Sequence, residues 1–270
     1  MAGRNDTMND RHPAQGKKPV ILFLHGFMGS GNDWHTIIRK LAGNFTCLAP
    51  DLPGHGKNLK NYWTEGFLFP AWKEELVEYL RKQGITACHV IGYSMGGRLA
   101  LYLAVHNPGF VQSLILESAS AGIAEGRERH ERLNNDIRMA NQFESGSWPE
   151  MLELWYDQAV FSGIKSYPDY QTLFDKRLHN DPRQLAAVLR GTSPGLQPSL
   201  WNKLVLLSMP VLAITGEKDL KYCRILEQMQ KCNGRIKGKI IHGAGHNVHF
   251  SAPELFVDSI KEFLSGDQED

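Results

Sequence analysis

The stretch C-H-V-I-G-Y-S-M-G-G-R-L-A-L, residues 88–101, decides the fold of this chain. Its apolar start is typical of a buried strand and its end of a helix, and G-Y-S-M-G between them matches the G-x-S-x-G pattern. Glycines flank the turn in that pattern because a Cβ would strike the neighbouring strand or helix. A glycine-rich turn that only happens to contain a serine is the alternative. The flanking patterns instead predict that Ser94 lies at the centre of an active site.

Working outward from this turn, short apolar runs alternate with helix-like segments. Because the runs are continuously apolar, the strands are expected to be covered on both faces. A parallel sheet between two layers of helices satisfies that pattern, so the predicted fold class is α/β. The predicted strands span residues 20–24, 45–49, 89–93, 113–117, 211–215 and 239–242, and the predicted helices include 72–83, 97–106, 223–229 and 255–264.

The alternation breaks between Ala121 and Lys203. This stretch is rich in Arg, Glu, Trp and Met, has helical periodicity and contains no convincing strand. It is expected to form a helical cap over the carboxyl ends of the strands, where such sheets bind ligands. The predicted organisation is a flexible N-terminal tail at 1–18, a core formed by 19–121 and 204–270, and a helical cap at 122–203.

The composition is that of an ordinary globular protein. The 270 residues include 30 Lys and Arg against 29 Asp and Glu, so nothing favours a nucleic-acid or membrane partner. The four cysteines show no C-x-x-C spacing and are expected to be reduced. Residues 1–18 lack the apolar segment of a signal peptide, so a cytoplasmic location is expected. No cluster with metal-ligand spacing and no phosphate-binding loop is evident, so neither a metal nor a cofactor is predicted.

A serine hydroxyl needs a histidine to take its proton, and that imidazole needs a carboxylate to fix its tautomer. On folds built around this turn, the partners follow in the order serine, acid, histidine. Asp219 comes just after the predicted strand 211–215, and His246 comes just after 239–242. Since the carboxyl ends of parallel strands share one edge of the sheet, we expect both residues to join Ser94.

Neighbouring residues compete for these two roles. Glu217 is close to Asp219 but only just past its strand, where a solvated glutamate is expected. His242 belongs to the predicted strand itself, and His249 is expected in the loop or helix that follows. Asp219 and His246 therefore remain the predicted acid and base.

A second turn, L-H-G-F at residues 24–27, follows the first predicted strand. The backbone N–H of Phe27 can point toward the serine, and with the N–H of Met95 it would form an oxyanion hole. A glycine turn that simply ends a strand is the alternative. The D-L-P-G-H-G stretch at 51–56 is expected to be a structural loop.

These residues alone fit an esterase, an amidase, a C–C hydrolase or a lyase. Arg98 lies one helical turn beyond Ser94, and it either borders the pocket or is exposed. In the expected cap, Arg132 adds a second cation, and a pocket with several arginines would suit a substrate with more than one carboxylate. Arg132 could equally form a surface ion pair with Glu128 or Asp136, each four residues away.

Six motifs recur together in a fixed order and spacing: G-Y-S-M-G-G-R at 92–98, E-S-A-S at 117–120, E-R-x-x-R-x-x-x-D at 128–136, W-Y-x-Q-x-V-F at 155–161, G-E-K-D at 216–219 and G-H-N-x-H at 245–249. This set resembles the 2-succinyl-6-hydroxy-2,4-cyclohexadiene-1-carboxylate (SHCHC) synthases of menaquinone and phylloquinone biosynthesis. The resemblance runs from about Val20 to the C-terminal helix. Its cap motifs make it specific, because the sheet motifs are shared by the whole α/β-hydrolase superfamily.

The resemblance implies an α/β-hydrolase fold and a lyase that eliminates pyruvate from 2-succinyl-5-enolpyruvyl-6-hydroxy-3-cyclohexene-1-carboxylate without a cofactor. Ser94, activated by His246 and Asp219, would act as a base on the ring C–H beside the ketone. The oxyanion hole would hold the resulting enolate. By the same resemblance, arginines would bind the substrate's carboxylates and aromatic side chains would line the pocket. The arginines are Arg98, Arg132 and Arg177, and the aromatic residues are Tyr93 and Trp155.

Two positions depart from the family pattern, since Ser251-Ala252 stand where glutamate is frequent and Ala121 stands where proline is common. Rival functions remain. A carboxylesterase or C–C bond hydrolase would use the same triad as a nucleophile, and a ligand receptor on this fold would not use it at all. Trp155 could equally belong to the core of the cap. The expected partner is a small polycarboxylate molecule.

Overall fold

A single parallel sheet forms the centre of the fold. The computed structural model describes residues 18–59 and 66–266, so the predicted tail lies outside the described residues apart from Lys18. The described strands are β1 (Val20–Leu24), β2 (Thr46–Leu48), β3 (Cys88–Tyr93), β4 (Val111–Glu117), β5 (Val211–Gly216) and β6 (Ile236–Ile241). They lie in the order β2-β1-β3-β4-β5-β6, and all five pairings are parallel. The predicted parallel α/β sheet is confirmed.

Helices connect and cover these strands. Within the described residues, the α-helices are α1 (His35–Leu41), α2 (Phe69–Lys82), α3 (Met95–His106), α4 (Gly126–Ser145), α5 (Trp148–Tyr156), α6 (Tyr170–Leu178), α7 (Pro182–Gly191), α8 (Leu220–Cys232), α9 (Val248–Ser251) and α10 (Pro253–Gly266). In the part of the chain that the structure describes, no helix is long and apolar enough to cross a membrane.

Both faces of the sheet are buried, as continuously apolar strands require. Helices α2, α3 and α8 pack on one face, and α1 and α10 pack on the other. Leu22 and Leu24 of β1 enter the first apolar cluster, whereas Ile21 and Phe23 enter the second, because successive side chains of a strand point to opposite faces. Each fully buried side chain of this kind stabilises the fold by about 1.5–3 kcal/mol relative to exposure.

The strand order places two turns side by side. Strand β1 pairs with β2 on one side and with β3 on the other, so the connections that leave β1 and β3 diverge between these neighbours. Ligands bind at such a switch point, outside the carboxyl ends of the strands. The turns that follow β1 and β3 contain Phe27 and Ser94, so the fold brings these two residues to one edge.

The segment between β4 and β5 contains helices α4 to α7 and, over its described length, no strand. These helices share an apolar cluster of their own, which includes Phe143, Leu152 and Leu185. Met28, from the turn after β1, belongs to the same cluster and anchors the helical segment to the sheet. The boundaries given above for a core and a cap stay a prediction.

Several element boundaries differ from the sequence prediction by one to three residues, and for β6 and α8 the structure shows the physical reason. Strand β6 begins at Ile236 and ends before His242, because it lies at the edge of the sheet, where exposed polar residues interrupt the apolar run. Helix α8 begins at Leu220 rather than at residue 223, because the Asp219 side chain accepts the Tyr222 N–H and caps the helix.

Candidate active site

Ser94 lies on a sharp turn between β3 and α3. Its φ is +51°, in the left-handed region that residues other than glycine rarely adopt. A Cβ on Gly92 would lie 2.5 Å from the Gly96 carbonyl oxygen, and a Cβ on Gly97 would lie 2.5 Å from the Ala119 Cβ. Glycine is therefore required at both positions, and the close packing it permits enforces the conformation of Ser94.

Asp219, His246 and Ser94 form one hydrogen-bonded chain. The His246 Nδ1–H donates to Asp219 Oδ2 over 2.6 Å, because a carboxylate can only accept, and Nε2 then faces the Ser94 Oγ at 3.2 Å as an acceptor. Asp219 and His246 are only 5% and 4% exposed, which excludes most competing water. The arrangement can draw a proton from the serine onto the imidazole.

The turn after β1 is braced by two buried histidines. The Met28 N–H donates to His55 Nε2 over 3.2 Å, and the Leu52 N–H donates to His25 Nε2 over 2.9 Å. The Gly26 carbonyl accepts the His25 Nδ1–H over 2.8 Å. The loop at 51–56 therefore supports this turn, in the structural role that its sequence suggests.

Phe27 and Met95 both line the space in front of Ser94 and His246. Met95 is the first residue of α3, so its N–H has no carbonyl partner within the helix. Phe27 lies within the braced turn beside it. Two backbone N–H groups at this place could meet a developing oxyanion.

A cavity of about 420 Å³, here called the inner cavity, is lined by Ser94 and His246. Its cationic side chains are Arg98, Arg132 and Lys221, and none of the described residues that line it is an aspartate or a glutamate. A larger outer cavity of about 930 Å³ shares these three cations. Positive charge lining a cavity concentrates anionic ligands. Among the described residues, no group of three or more His, Cys, Asp or Glu is placed to hold a metal ion.

Arg98 is a buried cation held by neutral acceptors. It is 7% exposed and donates to Gln197 Oε1 over 2.8 Å and to the Thr192 carbonyl over 2.9 Å. Burial lowers the pKa of Arg98 to about 10, and the nearby Arg132 guanidinium acts in the same direction. Within residues 18–59 and 66–266, Arg98 forms no ion pair. Its charge is therefore available to a ligand in the cavity.

Arg132 both forms an ion pair and lines the inner cavity. Its Nε–H donates to both carboxylate oxygens of Asp136 at 2.9 Å, and Asp136 also accepts from the Ser193 hydroxyl over 2.6 Å. Asp136 is buried, so this is not the surface ion pair that the alternative interpretation expected. Because the carboxylate is bonded through Nε, the structure leaves the terminal NH groups of Arg132 for other partners.

Arg177 is placed away from the inner cavity. Its two terminal nitrogens donate to the Asp33 carboxylate over 3.1 and 2.6 Å, and both side chains are largely buried. Burial by itself raises the pKa of Asp33, but the Arg177 guanidinium outweighs it and lowers that pKa. The pair lines a separate cavity of about 260 Å³. The structure therefore does not bring Arg177 together with Arg98 and Arg132.

The two predicted aromatic residues have different placements. Trp155 lines the inner cavity, and its ring centroid also lies 5.0 Å from that of Phe27. Its surroundings therefore combine those of a pocket residue and those of an apolar core residue. Tyr93 is 8% exposed and does not belong to the cavity lining. Its ring centroid lies 5.5 Å from that of His246, so Tyr93 packs against that imidazole.

Several residues of the site carry no role in the sequence prediction. The Tyr222 ring lies 4.7 Å from the His246 ring, and Lys221 lines both cavities. Lys221 and Tyr222 lie in the first helical turn after Asp219, the predicted acid, and this proximity was enough to name them as site residues from the sequence. Gln197 is 99 positions from Arg98, and nothing local in the sequence connects them.

The competing acid and histidines also have defined places. Glu217 accepts from His242 Nδ1 over 2.8 Å in an exposed pair, away from the triad. His249 donates its Nδ1–H to the buried Glu117 carboxylate over 2.7 Å. Neither histidine contacts Ser94, so the pairing of His246 with Asp219 is the one that the fold provides.

Comparisons with known proteins agree on one family. The alpha/beta hydrolase fold family matches residues 19–253. A 2-succinyl-6-hydroxy-2,4-cyclohexadiene-1-carboxylate synthase from Pectobacterium atrosepticum is 34% identical over 250 residues, 92% of this chain and 94% of the relative. The chloroplastic protein PHYLLO of Arabidopsis thaliana is 31% identical over 261 residues, which are 91% of this chain but 15% of PHYLLO.

Solved structures extend the comparison to three dimensions. MenH from S. aureus superposes with a TM-score of 0.88 and 31% identity, over 94% of this chain and 96% of that one. A thermophilic esterase from Thermogutta terrifontis has a TM-score of 0.82 at 22% identity, over 93% and 91% of the two chains. At that lower identity the likeness shows a shared fold alone.

Proposed function

The chain belongs to the α/β-hydrolase fold family and, within it, to the SHCHC synthases of quinone biosynthesis, and from that membership we propose that it eliminates pyruvate from 2-succinyl-5-enolpyruvyl-6-hydroxy-3-cyclohexene-1-carboxylate. The family resemblance predicted from the motifs is confirmed, and the protein is an enzyme. One observation carries the assignment of the reaction. The inner cavity presents Arg98, Arg132 and Lys221 without a lining carboxylate among the described residues, and this substrate carries three carboxylates.

In the proposed first step, Ser94 removes the ring proton beside the succinyl ketone. Asp219 holds the Nδ1–H of His246, so Nε2 can take the serine proton as the serine oxygen takes the ring proton. The electrons of the broken C–H bond move onto the ketone oxygen as an enolate. The N–H groups of Phe27 and Met95 would stabilise that charge.

In the second step the enolate collapses. Its electrons form a new ring double bond, the existing ring double bond shifts by one position, and the C–O bond to the enolpyruvyl group breaks. The leaving enolpyruvate takes up one proton and becomes pyruvate, which balances the proton removed from the ring. The reaction needs no external electron acceptor, and the triad returns to its starting protonation state.

A carboxylesterase or C–C bond hydrolase remains the second candidate, because the same triad could attack a carbonyl. The charge of the cavity argues against it. When a neutral ester is bound, the buried Arg98 guanidinium would keep only neutral acceptors, and the terminal NH groups of Arg132 would gain no anionic partner. A substrate with several carboxylates supplies those partners.

Incubation of the purified enzyme with the enolpyruvyl substrate tests the proposal, with pyruvate measured by a coupled lactate dehydrogenase assay. Wild type is expected to release one pyruvate per substrate and to hydrolyse nitrophenyl esters poorly. Ser94→Ala is expected to lower kcat by roughly 10³-fold or more while the substrate still binds. Ser120→Ala, in the outer cavity, is the matched control and should retain activity. Ester turnover without pyruvate release would establish the hydrolase instead.

A further inference from the structure

The inner cavity contains a third cation that the sequence prediction did not assign. Three arginines were expected to meet the substrate's carboxylates, but Arg177 is bonded through both terminal nitrogens to Asp33 and does not line the cavity. Lys221 does line it, together with Arg98 and Arg132. Three cations therefore line the cavity that contains Ser94, but the third is Lys221 instead of Arg177.

Among residues 18–59 and 66–266, the Lys221 ammonium forms no ion pair. Its Nζ lies 5.8 Å from the centroid of the Tyr222 ring. Lys221 is exposed as a whole residue, but partial burial lowers its pKa, the Arg132 guanidinium lowers it further, and the carboxylates of Asp219 and Glu128 oppose this. The ammonium therefore lies within electrostatic reach of a second cation and of the acid of the triad.

Helix stability does not account for a lysine at this position. Lys221 is the second residue of α8, two positions after the Asp219 cap. Cations are unfavourable in the first turn of a helix, because the unpaired N–H groups there carry partial positive charge. A bound anion would be attracted by both the lysine and the helix end.

The residues that line both cavities form the junction between them. The charge at this junction differs from the charge of the rest of the outer cavity. Arg224 and Lys231 line the outer cavity alone, and so do Glu125 and Glu128, so the outer cavity carries charge of both signs. At the junction, the shared lining residues include cations and, among those described, no carboxylate. Lys221 belongs to this junction.

We propose that Lys221 is a substrate-binding residue that holds one carboxylate of the substrate at the junction of the inner and outer cavities, while Arg98 and Arg132 hold the others. The inference rests on the proposed function, because it takes its ligand from that reaction. It also makes Lys221 a determinant of specificity. A substrate that lacks the third carboxylate would leave this ammonium unpaired and would bind more weakly.

The test compares Lys221→Met with Lys231→Met in the pyruvate-release assay. Methionine keeps the length of the side chain and removes the charge. Lys221→Met is expected to raise KM about tenfold and to change kcat less than about twofold, because a charge-assisted bond to the bound substrate is lost in the ground state and the transition state alike. Lys221→Arg should restore most of the affinity. Lys231 lines only the outer cavity, so Lys231→Met should behave as wild type.

A second readout does not depend on turnover. Calorimetric titration of the intact enolpyruvyl substrate, which carries all three carboxylates, into the inactive Ser94→Ala protein should show weaker binding when Lys221→Met is added than when Lys231→Met is added. Thermal unfolding of both variants establishes that each is folded. An unchanged KM in Lys221→Met, or an equal rise in Lys231→Met, overturns the inference while wild-type pyruvate release leaves the proposed function intact. Wild type that releases no pyruvate overturns both.

Discussion

At the scale of single residues, the environment of Arg98 shows how the fold keeps a charge available. A buried guanidinium is normally neutralised by a carboxylate, because desolvated charge is costly. Here the acceptors are the amide oxygen of Gln197 and a backbone carbonyl, both neutral. They satisfy the geometry of the N–H donors without cancelling the charge. An anionic ligand in the cavity would offset the remaining cost of burying this charge.

Gln197→Glu should therefore impair substrate binding while it preserves the shape of the site. The new carboxylate would pair with Arg98 and compete with the substrate, so KM is expected to rise by about tenfold or more, with a smaller change in kcat. The assay is steady-state pyruvate release, and thermal unfolding should show a folded protein.

Gln228→Glu is the matched control, since Gln228 lines only the outer cavity. It adds the same negative charge at a place where carboxylates are already present. A KM for Gln197→Glu within twofold of wild type would contradict the idea that a neutral acceptor is required.

At the scale of elements, strand β4 and helix α9 are joined by one buried carboxylate. Glu117 ends β4 and is fully buried. It accepts the N–H groups of Val248 and His249 over 2.6 and 3.0 Å, and the His249 Nδ1–H over 2.7 Å. These donors come from the residues two and three positions after His246. The carboxylate therefore positions the loop that carries the imidazole, and it does not belong to the lining of the inner cavity.

Glu117→Gln should lower kcat about tenfold with little change in KM, because an amide cannot accept from all three donors and the imidazole loses its alignment. The split between kcat and KM is the readout, since a displaced imidazole slows proton transfer while the substrate still binds. Glu217→Gln is the control, because Glu217 lies just past the end of the neighbouring strand β5 but is exposed. Equal kcat in Glu117→Gln and wild type would show that the contact serves stability alone.

The sequence predicts elements well where a local rule governs them. The G-x-S-x-G turn predicts β3, α3 and the position of Ser94, since its glycines are required by close packing. The start of β6 is missed because an edge strand is not continuously apolar. The roles of Glu117 and Gln197 are missed for another reason. Their partners lie 131 and 99 positions away, and no periodicity along the chain records such a contact.

At the scale of the whole molecule, a buried ion pair joins the helical segment to the sheet. Asp33 follows β1 and Arg177 lies on α6, 144 positions away. Removal of one partner leaves an unpaired buried charge, so Asp33→Asn is expected to lower the free energy of unfolding by about 3–5 kcal/mol. Urea denaturation measures the change.

The double variant Asp33→Asn/Arg177→Met distinguishes a structural role of Arg177 from substrate binding. It should lose less stability than the sum of the single changes, because it leaves no isolated charge. Arg177→Met should affect stability more than KM. A rise in KM as large as that of Arg98→Met would instead return Arg177 to the substrate-binding role that the family resemblance implies.

Acid should destabilise the whole molecule through the turn beside the serine. Burial lowers the pKa of His25 and holds that of His55 well below its ordinary value of 6.5. Asp33 and Asp51 favour protonation of His25, and Arg177 opposes it, but desolvation is the largest influence. Both rings accept a backbone N–H at Nε2, which a protonated ring cannot do.

The pKa of each histidine is lower in the folded protein than in the unfolded chain. As the pH falls below about 6.5, the unfolded chain therefore binds more protons than the folded protein. The free energy of unfolding decreases as a result. Urea denaturation between pH 7.5 and 5.0 should show this decline. His55→Gln, whose amide can accept the Met28 N–H and does not titrate, should have a shallower slope, whereas the exposed His130→Gln should keep the wild-type slope. Identical slopes in all three proteins would assign the acid sensitivity in this pH range to other groups. The Asp33 carboxylate, whose pKa is lowered, loses its contribution only below this range.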